Sequence, residues 1–138
     1  MTPAPDEQSA RPVEGEPEES ARGDSLELLR EIAAIVSDKQ GEDLAALDVS
    51  ELVGYTDYLL ICTARNERLA KAIHDEVYHR LKREHERLPA RVEGEVEARW
   101  VLMDYLDCVL HVFVPELRAR YRLEMLWGEA PPVELSTE

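Results

Sequence analysis

The chain of 138 residues has little of what several protein classes need. Its two cysteines, Cys62 and Cys108, both lie within apolar runs, a pattern typical of small buried residues in a reducing compartment. Two cysteines are also too few to form a zinc site by themselves. No apolar run approaches the roughly 20 residues of a membrane span, and the N-terminus lacks the basic flank and apolar core of a signal peptide. We therefore expect a cytoplasmic protein without membrane contact.

Basic residues are scarce relative to acidic ones. The chain carries 16 Lys and Arg residues against 30 Asp and Glu residues, so its formal net charge is −14. Proteins that bind nucleic acid through its phosphates use clustered Lys and Arg, so we expect little direct nucleic-acid binding. An acidic protein is instead steered toward basic partners.

The sequence also lacks the common catalytic motifs. It contains no Gly-x-Ser-x-Gly turn, no Walker A loop and no Gly-x-Gly-x-x-Gly loop. His74 and His79 are five positions apart on a predicted helix, so they diverge and cannot form the i, i+4 pair of a helical zinc site. His111 alternates with apolar residues and is interpreted as a hydrogen-bonded, partly buried histidine; a nucleophile pair with Cys62 is conceivable, but nothing in the sequence brings the two together. We predict no catalytic residue, metal or cofactor.

Composition divides the chain into three parts. Residues 1–24 hold four of the eight prolines, seven acidic residues and almost nothing apolar, so they cannot bury enough surface to offset their ordering entropy. We predict an acidic, disordered tail over 1–24, one domain over 25–131, and a loose tail over 132–138.

Periodicity and breakers predict eight elements within the domain. Asp24 is a suitable cap for the first helix and Asn66 for the second, Pro89 follows the second helix, and Gly128 ends the last. The predicted order is helix 25–40, strand 44–49, strand 58–63, helix 67–86, short strand 90–93, two strands within 99–114, and helix 116–127. The predicted fold class is therefore α/β, with a mixed β-sheet flanked by helices.

The stretch from Arg99 to Val114 is the most informative one. It reads as two apolar strands joined by Asp104-Tyr105-Leu106-Asp107, and large apolar side chains alternate onto both faces of each strand. Such strands belong in a sheet that is covered on both sides, or in one whose open face binds a partner. An acidic tip on so apolar a pair is the best single candidate for a functional surface.

Several short motifs, taken in order, resemble the ribosomal silencing factor family, also called the RsfS or Iojap family. The match spans about residues 25–131. The motifs are Thr56-Asp57-Tyr58, Asn66-Glu67-Arg68, Lys71-Ala72-Ile73, Glu93-Gly94, Trp100-Val101-Leu102-Met103-Asp104-Tyr105, Asp107, His111-Val112-Phe113, Leu123-Glu124 and Leu126-Trp127-Gly128.

The resemblance implies a fold related to nucleotidyltransferases but without their catalytic residues, and no enzymatic activity. It implies binding to the large ribosomal subunit through its fourteenth ribosomal protein, which blocks joining of the small subunit and represses translation when nutrients are short. It also implies a homodimer when free. The residues carried over as partner-binding are Trp100, Asp104, Tyr105 and Asp107. Trp100 remains open between a core and an interface role, because a tryptophan in a strand is more often core.

One departure from the family pattern concerns the tip. The family usually has glycine where this chain has Leu106, and leucine is costly there if the turn requires a positive φ. Two alternative functions remain: a large-subunit assembly factor that uses the same surface, or a nucleotidyltransferase-type enzyme. Asp48 lies in a predicted strand, but no Gly-Ser turn precedes it, so the enzyme is the weaker alternative.

Overall fold

The fold is a five-stranded mixed sheet with three helices. We describe residues 16–122 and 128–135 of a computed structural model, with side chains from residue 23 onward. The elements follow the predicted order: α1 Glu16–Asp38, β1 Glu42–Asp48, β2 Tyr58–Thr63, α2 Glu67–His85, β3 Arg91–Glu93, β4 Trp100–Asp104, β5 Cys108–Phe113 and α3 Pro115–Tyr121. The prediction of an α/β domain with a mixed sheet is confirmed.

The strands lie in the order β1-β2-β5-β4-β3. β2 and β5 run parallel, whereas the other three neighbouring pairs are antiparallel. β2 and β5 are buried along their whole length, as their continuous apolar sequences predict for central strands.

Helices α1 and α2 cover one face of the sheet, which we call the helix-covered face. Apolar side chains of both helices pack there against alternate residues of the strands, among them Leu60, Val101 and Leu110. The other face, the outer face, has a smaller apolar cluster that includes Ile61, Val109 and Phe113, with Leu117 of α3 packed against it. The two-faced alternation predicted for 99–114 is therefore present.

The first helix begins earlier than predicted. α1 starts at Glu16, so Asp24 lies inside the helix instead of capping it, and residues 16–24 of the predicted disordered tail are helical. Pro17 falls in the first turn, where its missing N–H has no helical partner to lose, and one interior glycine costs only about 1 kcal/mol. The prediction for residues 1–15 lies outside the described residues.

The start of α2 agrees with the sequence-based prediction, whereas the end of α3 differs from it. Asn66 caps α2 as predicted, because its Oδ1 accepts a hydrogen bond from the Leu69 amide at 2.9 Å. α3 ends at Tyr121 and not at Trp127, because Arg122 takes a left-handed conformation with φ +46°. Residues 123–127, which complete the predicted helix, lie outside the described residues.

The two edges of the sheet differ. At the β1 edge, the Asp48 amide donates to the Pro131 carbonyl and the Val133 amide donates to the Ala46 carbonyl, both at 2.9 Å. Residues 131–133 therefore pair with the edge of β1, so the tail predicted to be loose over 132–138 is bonded to the sheet at its start. Residues 136–138 lie outside the described residues. At the other edge, β3 is only three residues long and exposes Arg91 and Glu93, a short charged strand of the kind that discourages further pairing.

Candidate functional site

The hairpin tip between β4 and β5 is a tightly bonded turn. The Asp104 Oδ1 accepts from the Leu106 amide at 2.8 Å, the Asp107 amide donates to the Tyr105 carbonyl at 2.8 Å, and the Tyr105 amide donates to the Cys108 carbonyl at 2.9 Å. A hydrogen bond that spans three residues defines a γ-turn, whose rare classic form has a central φ near +75°. The backbone of the tip is thus held in one conformation.

Leu106 occupies the centre of this turn with φ +74°. Leucine was expected to be costly at this position if the turn required a positive φ. The turn does require one, and leucine stands where the family usually has glycine. A left-handed conformation costs a non-glycine residue roughly 1–2 kcal/mol, and the surrounding hydrogen bonds maintain it. Because the side chain is 58% exposed, the turn presents an apolar group to solvent.

Asp107 lies beside a cation that the sequence did not associate with it. Arg87 follows α2, and its Nη2 donates to Asp107 Oδ2 at 3.2 Å and to the Tyr105 carbonyl at 2.7 Å. The two side chains are 36% and 42% exposed, so the ion pair adds only modestly to stability. Arg87 nevertheless fixes the position of the Asp107 carboxylate.

Tyr105 does not belong to the surface. Its side chain is 1% exposed and lies in the core beneath α1 and α2. Burial raises the pKa of its phenol above the ordinary value, and the hydroxyl has no hydrogen-bond partner among the described residues. The expectation that Tyr105 touches a partner therefore conflicts with its position, which is that of a packing residue.

Trp100 lies on the outer face and is half-buried. Its ring centroid is 4.7 Å from that of Phe113 and 4.8 Å from that of Tyr121, and its Nε1 donates to His111 Nδ1 at 3.0 Å. One part of the indole packs in the outer cluster while another part is accessible, so this position is compatible with both roles that the sequence left open.

His111 is buried and neutral. The sequence predicted a hydrogen-bonded histidine that is partly buried. It is 8% exposed, and burial lowers its pKa from 6.5 to about 4. Because Nδ1 accepts the indole hydrogen bond, it carries no proton. His111 lies on the outer face and Cys62 on the helix-covered face, so the two cannot form a catalytic pair.

Lowering the pH from 7 to 4.5 is expected to cost roughly 2–3 kcal/mol of stability through His111 alone. Between pH 6.5 and about 4, His111 is protonated in the unfolded chain but remains neutral in the folded protein. The contribution of His111 to the free energy of unfolding is therefore fully present above pH 6.5 and decreases as the pH falls toward 4. Urea unfolding at the two pH values measures this loss.

The matched variant for this measurement is His111→Gln, whose side-chain carbonyl can still accept from Trp100. It should lose less stability than the wild type over the same pH interval. An identical pH dependence in both proteins would mean that His111 titrates freely when folded.

The predicted site residues thus fall into three places. Trp100 and Asp104 share the outer face of β4 with Leu102, and all three are half-buried, whereas Val101 and Met103 between them are fully buried. We call Trp100, Leu102 and Asp104 the β4 surface. Trp100 and Asp104 lie about 13 Å apart along the strand at roughly 3.3 Å per residue. Asp107 is at the tip, and Tyr105 is in the core.

Sequence reasoning missed the loop that lies beside the tip. The amides of Asp57 and Tyr58 both donate to the Asp107 carbonyl at 3.2 Å, so residues 50–57 adjoin residues 104–107. This loop exposes Tyr55 by 63% and Leu52 by 44%. Two signals were available: Tyr55 next to Gly54 in a predicted connection, and the motif Thr56-Asp57-Tyr58 that contributes to the family resemblance.

Metal and thiol chemistry find little support in the described residues. Three potential metal ligands approach one another at Glu31, Glu84 and His85. Glu84 and His85 are exposed and Glu31 is half-buried, and His85 Nε2 is 2.8 Å from a Glu31 carboxylate oxygen. In the part of the chain that the structure describes, no third metal-ligating side chain joins Asp104 and Asp107. Burial raises the pKa of the Cys62 thiol to about 12 and that of the Cys108 thiol further, so both thiols are unreactive. Both cysteines are free, as predicted.

None of the helices in the described ranges is long and apolar enough to cross a bilayer.

The comparisons with known proteins agree on one family. The family model described as RsfS, ribosomal silencing factor during starvation, matches residues 22–138. The Ribosomal silencing factor RsfS of Halalkalibacterium halodurans is 41% identical over 109 residues, which are 79% of this chain and 92% of that protein. The protein of the same name from Bacillus subtilis is 40% identical over 108 residues, or 78% and 91% of the two chains.

A solved structure shows the same architecture. A crystal structure from Bacillus halodurans aligns with a TM-score of 0.69 at 39% sequence identity, over 79% of this chain and 98% of that one. The likeness therefore extends over the domain formed by the sheet and its helices.

Proposed function

Since the chain belongs to the ribosomal silencing factor family, we propose that it binds the large ribosomal subunit through the fourteenth ribosomal protein of that subunit and sterically prevents the small subunit from joining. Translation is thereby repressed when nutrients are limiting. In this proposal the protein acts in the cytoplasm as a binding protein without enzymatic activity.

The β4 surface is the observation that carries this proposal. The three residues of this surface are half-buried on the outer face: Trp100, Leu102 and Asp104. The residues that alternate with them along β4 are fully buried. An accessible aromatic and aliphatic pair next to a carboxylate has the composition of a binding hot spot, in which an apolar centre is surrounded by polar groups.

Charge supports a basic ribosomal protein as the partner. The net charge of −14 steers the chain toward cations and away from exposed ribosomal RNA. Asp104 and Asp107 offer carboxylates to Arg and Lys, and such charge-assisted hydrogen bonds are about twice as strong as neutral ones. We propose Trp100, Asp104 and Asp107 as contact residues, with Tyr105 supporting the tip from the core.

The absence of enzymatic activity is also part of the proposal. Asp48, the carboxylate that an enzyme alternative would use, accepts hydrogen bonds at Oδ1 from the Ser50 amide and hydroxyl, at 3.0 and 2.7 Å. It therefore stabilises the turn after β1. Magnesium-dependent nucleotide binding would contradict this part of the proposal.

We further propose that the free protein is a homodimer, because the accessible apolar part of the β4 surface favours self-association when the partner is absent. Light scattering of the purified protein measures this, and a monomer at tens of micromolar (an order-of-magnitude range for weak association) would contradict it.

Sedimentation of ribosomal subunits tests the proposed function. The protein should co-sediment with purified large subunits and not with small ones, and it should increase the fraction of free subunits when both are mixed. Binding to large subunits without any effect on joining would favour the assembly-factor alternative. Binding to both subunits, or to neither, would overturn the proposal.

A further inference from the structure

We propose that four exposed apolar side chains at the hairpin tip form a docking surface for an apolar group of the basic partner, with Leu106 as the main contact. We call Leu52, Tyr55, Leu88 and Leu106 the tip patch. The inference deepens the proposed function and rests on it for the identity of the partner. It gives a binding role to Leu106, which the sequence marked only as an unfavourable residue for the turn.

The tip patch is assembled from three segments that converge on the hairpin tip. The loop 50–57 is joined to the tip by two backbone amides that donate to the Asp107 carbonyl. Residues 87–90 adjoin the tip as well, because the Ala90 amide donates to the Asp104 carbonyl at 2.7 Å. Backbone hydrogen bonds therefore hold the three segments together before a partner arrives.

The exposed apolar side chains are concentrated at this end of the molecule. Among the described residues, six large apolar side chains are exposed, and four of them belong to the tip patch. Single exposed apolar residues are normal on a protein surface, whereas a group of them indicates an interaction site. Two members, Tyr55 and Leu106, line the same depression of about 270 Å³ between the loop and the tip.

Leu106 is the member of the patch that the free protein explains least. Its φ of +74° lies in the left-handed region, where a residue with a Cβ is sterically disfavoured. Because the side chain is exposed, it also gains little from packing within the chain. Strained residues of this kind occur most often at functional sites. The interaction that offsets the strain is therefore expected in a complex.

The charges around the tip patch determine which partner suits it. The three segments contain four carboxylates, of Glu51, Asp57, Asp104 and Asp107, and one guanidinium, of Arg87. An apolar group flanked by Lys or Arg complements both the apolar side chains and the charges around them. A second copy of this chain also has a net charge of −14 and is repelled. Since Asp104 ends the β4 surface and begins the tip, one partner can cover both surfaces.

Leu106→Gly separates binding from stability. Glycine adopts a positive φ without steric strain, so the melting temperature should equal or exceed that of the wild type. The affinity for purified large subunits should fall by about tenfold, because a leucine side chain is lost from the contact. Sedimentation and thermal melting measure the two quantities on the same preparations.

Two further substitutions of Leu106 separate the side chain from the backbone. Leu106→Ala retains the strained conformation but truncates the side chain, so it should bind as weakly as Leu106→Gly without any gain in stability. Leu106→Met retains an apolar side chain of similar volume and should bind within about threefold of the wild type. Tyr55→Ser, in the surface loop, should lower the affinity at an unchanged melting temperature.

A probe that does not involve the ribosome separates this inference from the proposed function. Acetyl-Arg-Leu-Arg-amide, titrated at millimolar concentration, should shift the NMR amide signals of Tyr55, Leu88 and Leu106. Acetyl-Arg-Gly-Arg-amide, which lacks the apolar side chain, and the anionic acetyl-Glu-Leu-Glu-amide should both shift them less. If the wild type does not bind large subunits but the Arg-Leu-Arg peptide gives this response, the proposed function fails and the tip patch remains a docking surface for a basic, apolar ligand.

Three results would overturn the tip patch. The first is wild-type affinity for large subunits in both Leu106→Gly and Leu106→Ala. The second is weak binding by Leu106→Gly together with wild-type binding by Leu106→Ala, which would assign the effect to backbone flexibility. The third is an equal response, or none, to the peptides with and without leucine, or a wild-type dimer that Leu106→Gly converts to a monomer at unchanged affinity for the subunit, which would make a second copy the occupant.

Discussion

Asp104→Lys is expected to weaken the free energy of binding to the large ribosomal subunit by roughly 2–5 kcal/mol, which raises Kd by roughly 30- to 5,000-fold. In the proposed complex the half-buried Asp104 carboxylate faces cations of the ribosomal protein. Lysine replaces this attraction with like-charge repulsion and leaves the partner's cations unpaired. Binding by sedimentation and thermal melting should be measured on the same preparations.

The hydrogen bonds of the tip determine which control is needed. Asp104 Oδ1 accepts from the Leu106 amide, so lysine also removes about 1 kcal/mol of turn stabilisation. Asp104→Asn retains an oxygen acceptor without the charge, and it should bind with intermediate affinity at nearly the wild-type melting temperature.

At the other tip carboxylate, Asp107→Asn is more informative than Asp107→Lys, because lysine would stand beside Arg87. Wild-type binding by Asp104→Lys with unchanged melting would place the interface elsewhere.

Tyr105→Ala is expected to destabilise the domain by roughly 3–5 kcal/mol, the usual cost of truncating a buried aromatic residue. Such a loss corresponds to a melting temperature lower by roughly 10–20 °C. The side chain is among the largest fully buried ones in the described part of the chain. Urea unfolding of the purified variant measures the change.

Tyr105→Phe is the matched variant, and it should behave in the opposite way. It removes a hydroxyl that has no partner among the described residues, so stability should be unchanged or higher by up to about 1 kcal/mol. Binding to the large subunit should also stay unchanged, because the ring remains in the core. Loss of binding at normal stability would show that the hydroxyl reaches the partner.

The faces of the central hairpin were predictable because alternation alone decides them. Residues 100 and 102 share one face and residues 101 and 103 the other, as period-two geometry requires. The same parity continues into the tip and assigns Tyr105 to the side of Val101 and Met103, where the structure places it. Including Tyr105 among the partner-binding residues disregarded this signal.

The start of α1 was not predictable from composition. A segment rich in proline and acidic residues is compatible with disorder, yet Pro17 stands where a helix tolerates proline. Composition averages over a segment, whereas helix initiation depends on the position of each residue.

The contacts that build the candidate site depend on register and on pairing between distant segments. Arg87 meets Asp107, Trp100 donates to His111, and the loop 50–57 adjoins the tip. Each pair joins segments whose relative positions follow only from the complete sheet. Residue type alone could suggest Trp100, Asp104 and Asp107, but it could not show that Arg87 lies beside Asp107.

The pairing of residues 131–133 with β1 has a consequence for synthesis. β1 leaves the translating ribosome more than eighty positions before Pro131, which amounts to on the order of ten seconds at about 5–20 residues per second. During that interval the nascent sheet has an uncovered edge at β1, where another growing chain could attach. In each newly made chain, correct pairing at this edge therefore depends on residues 131–133 reaching β1 before another chain does.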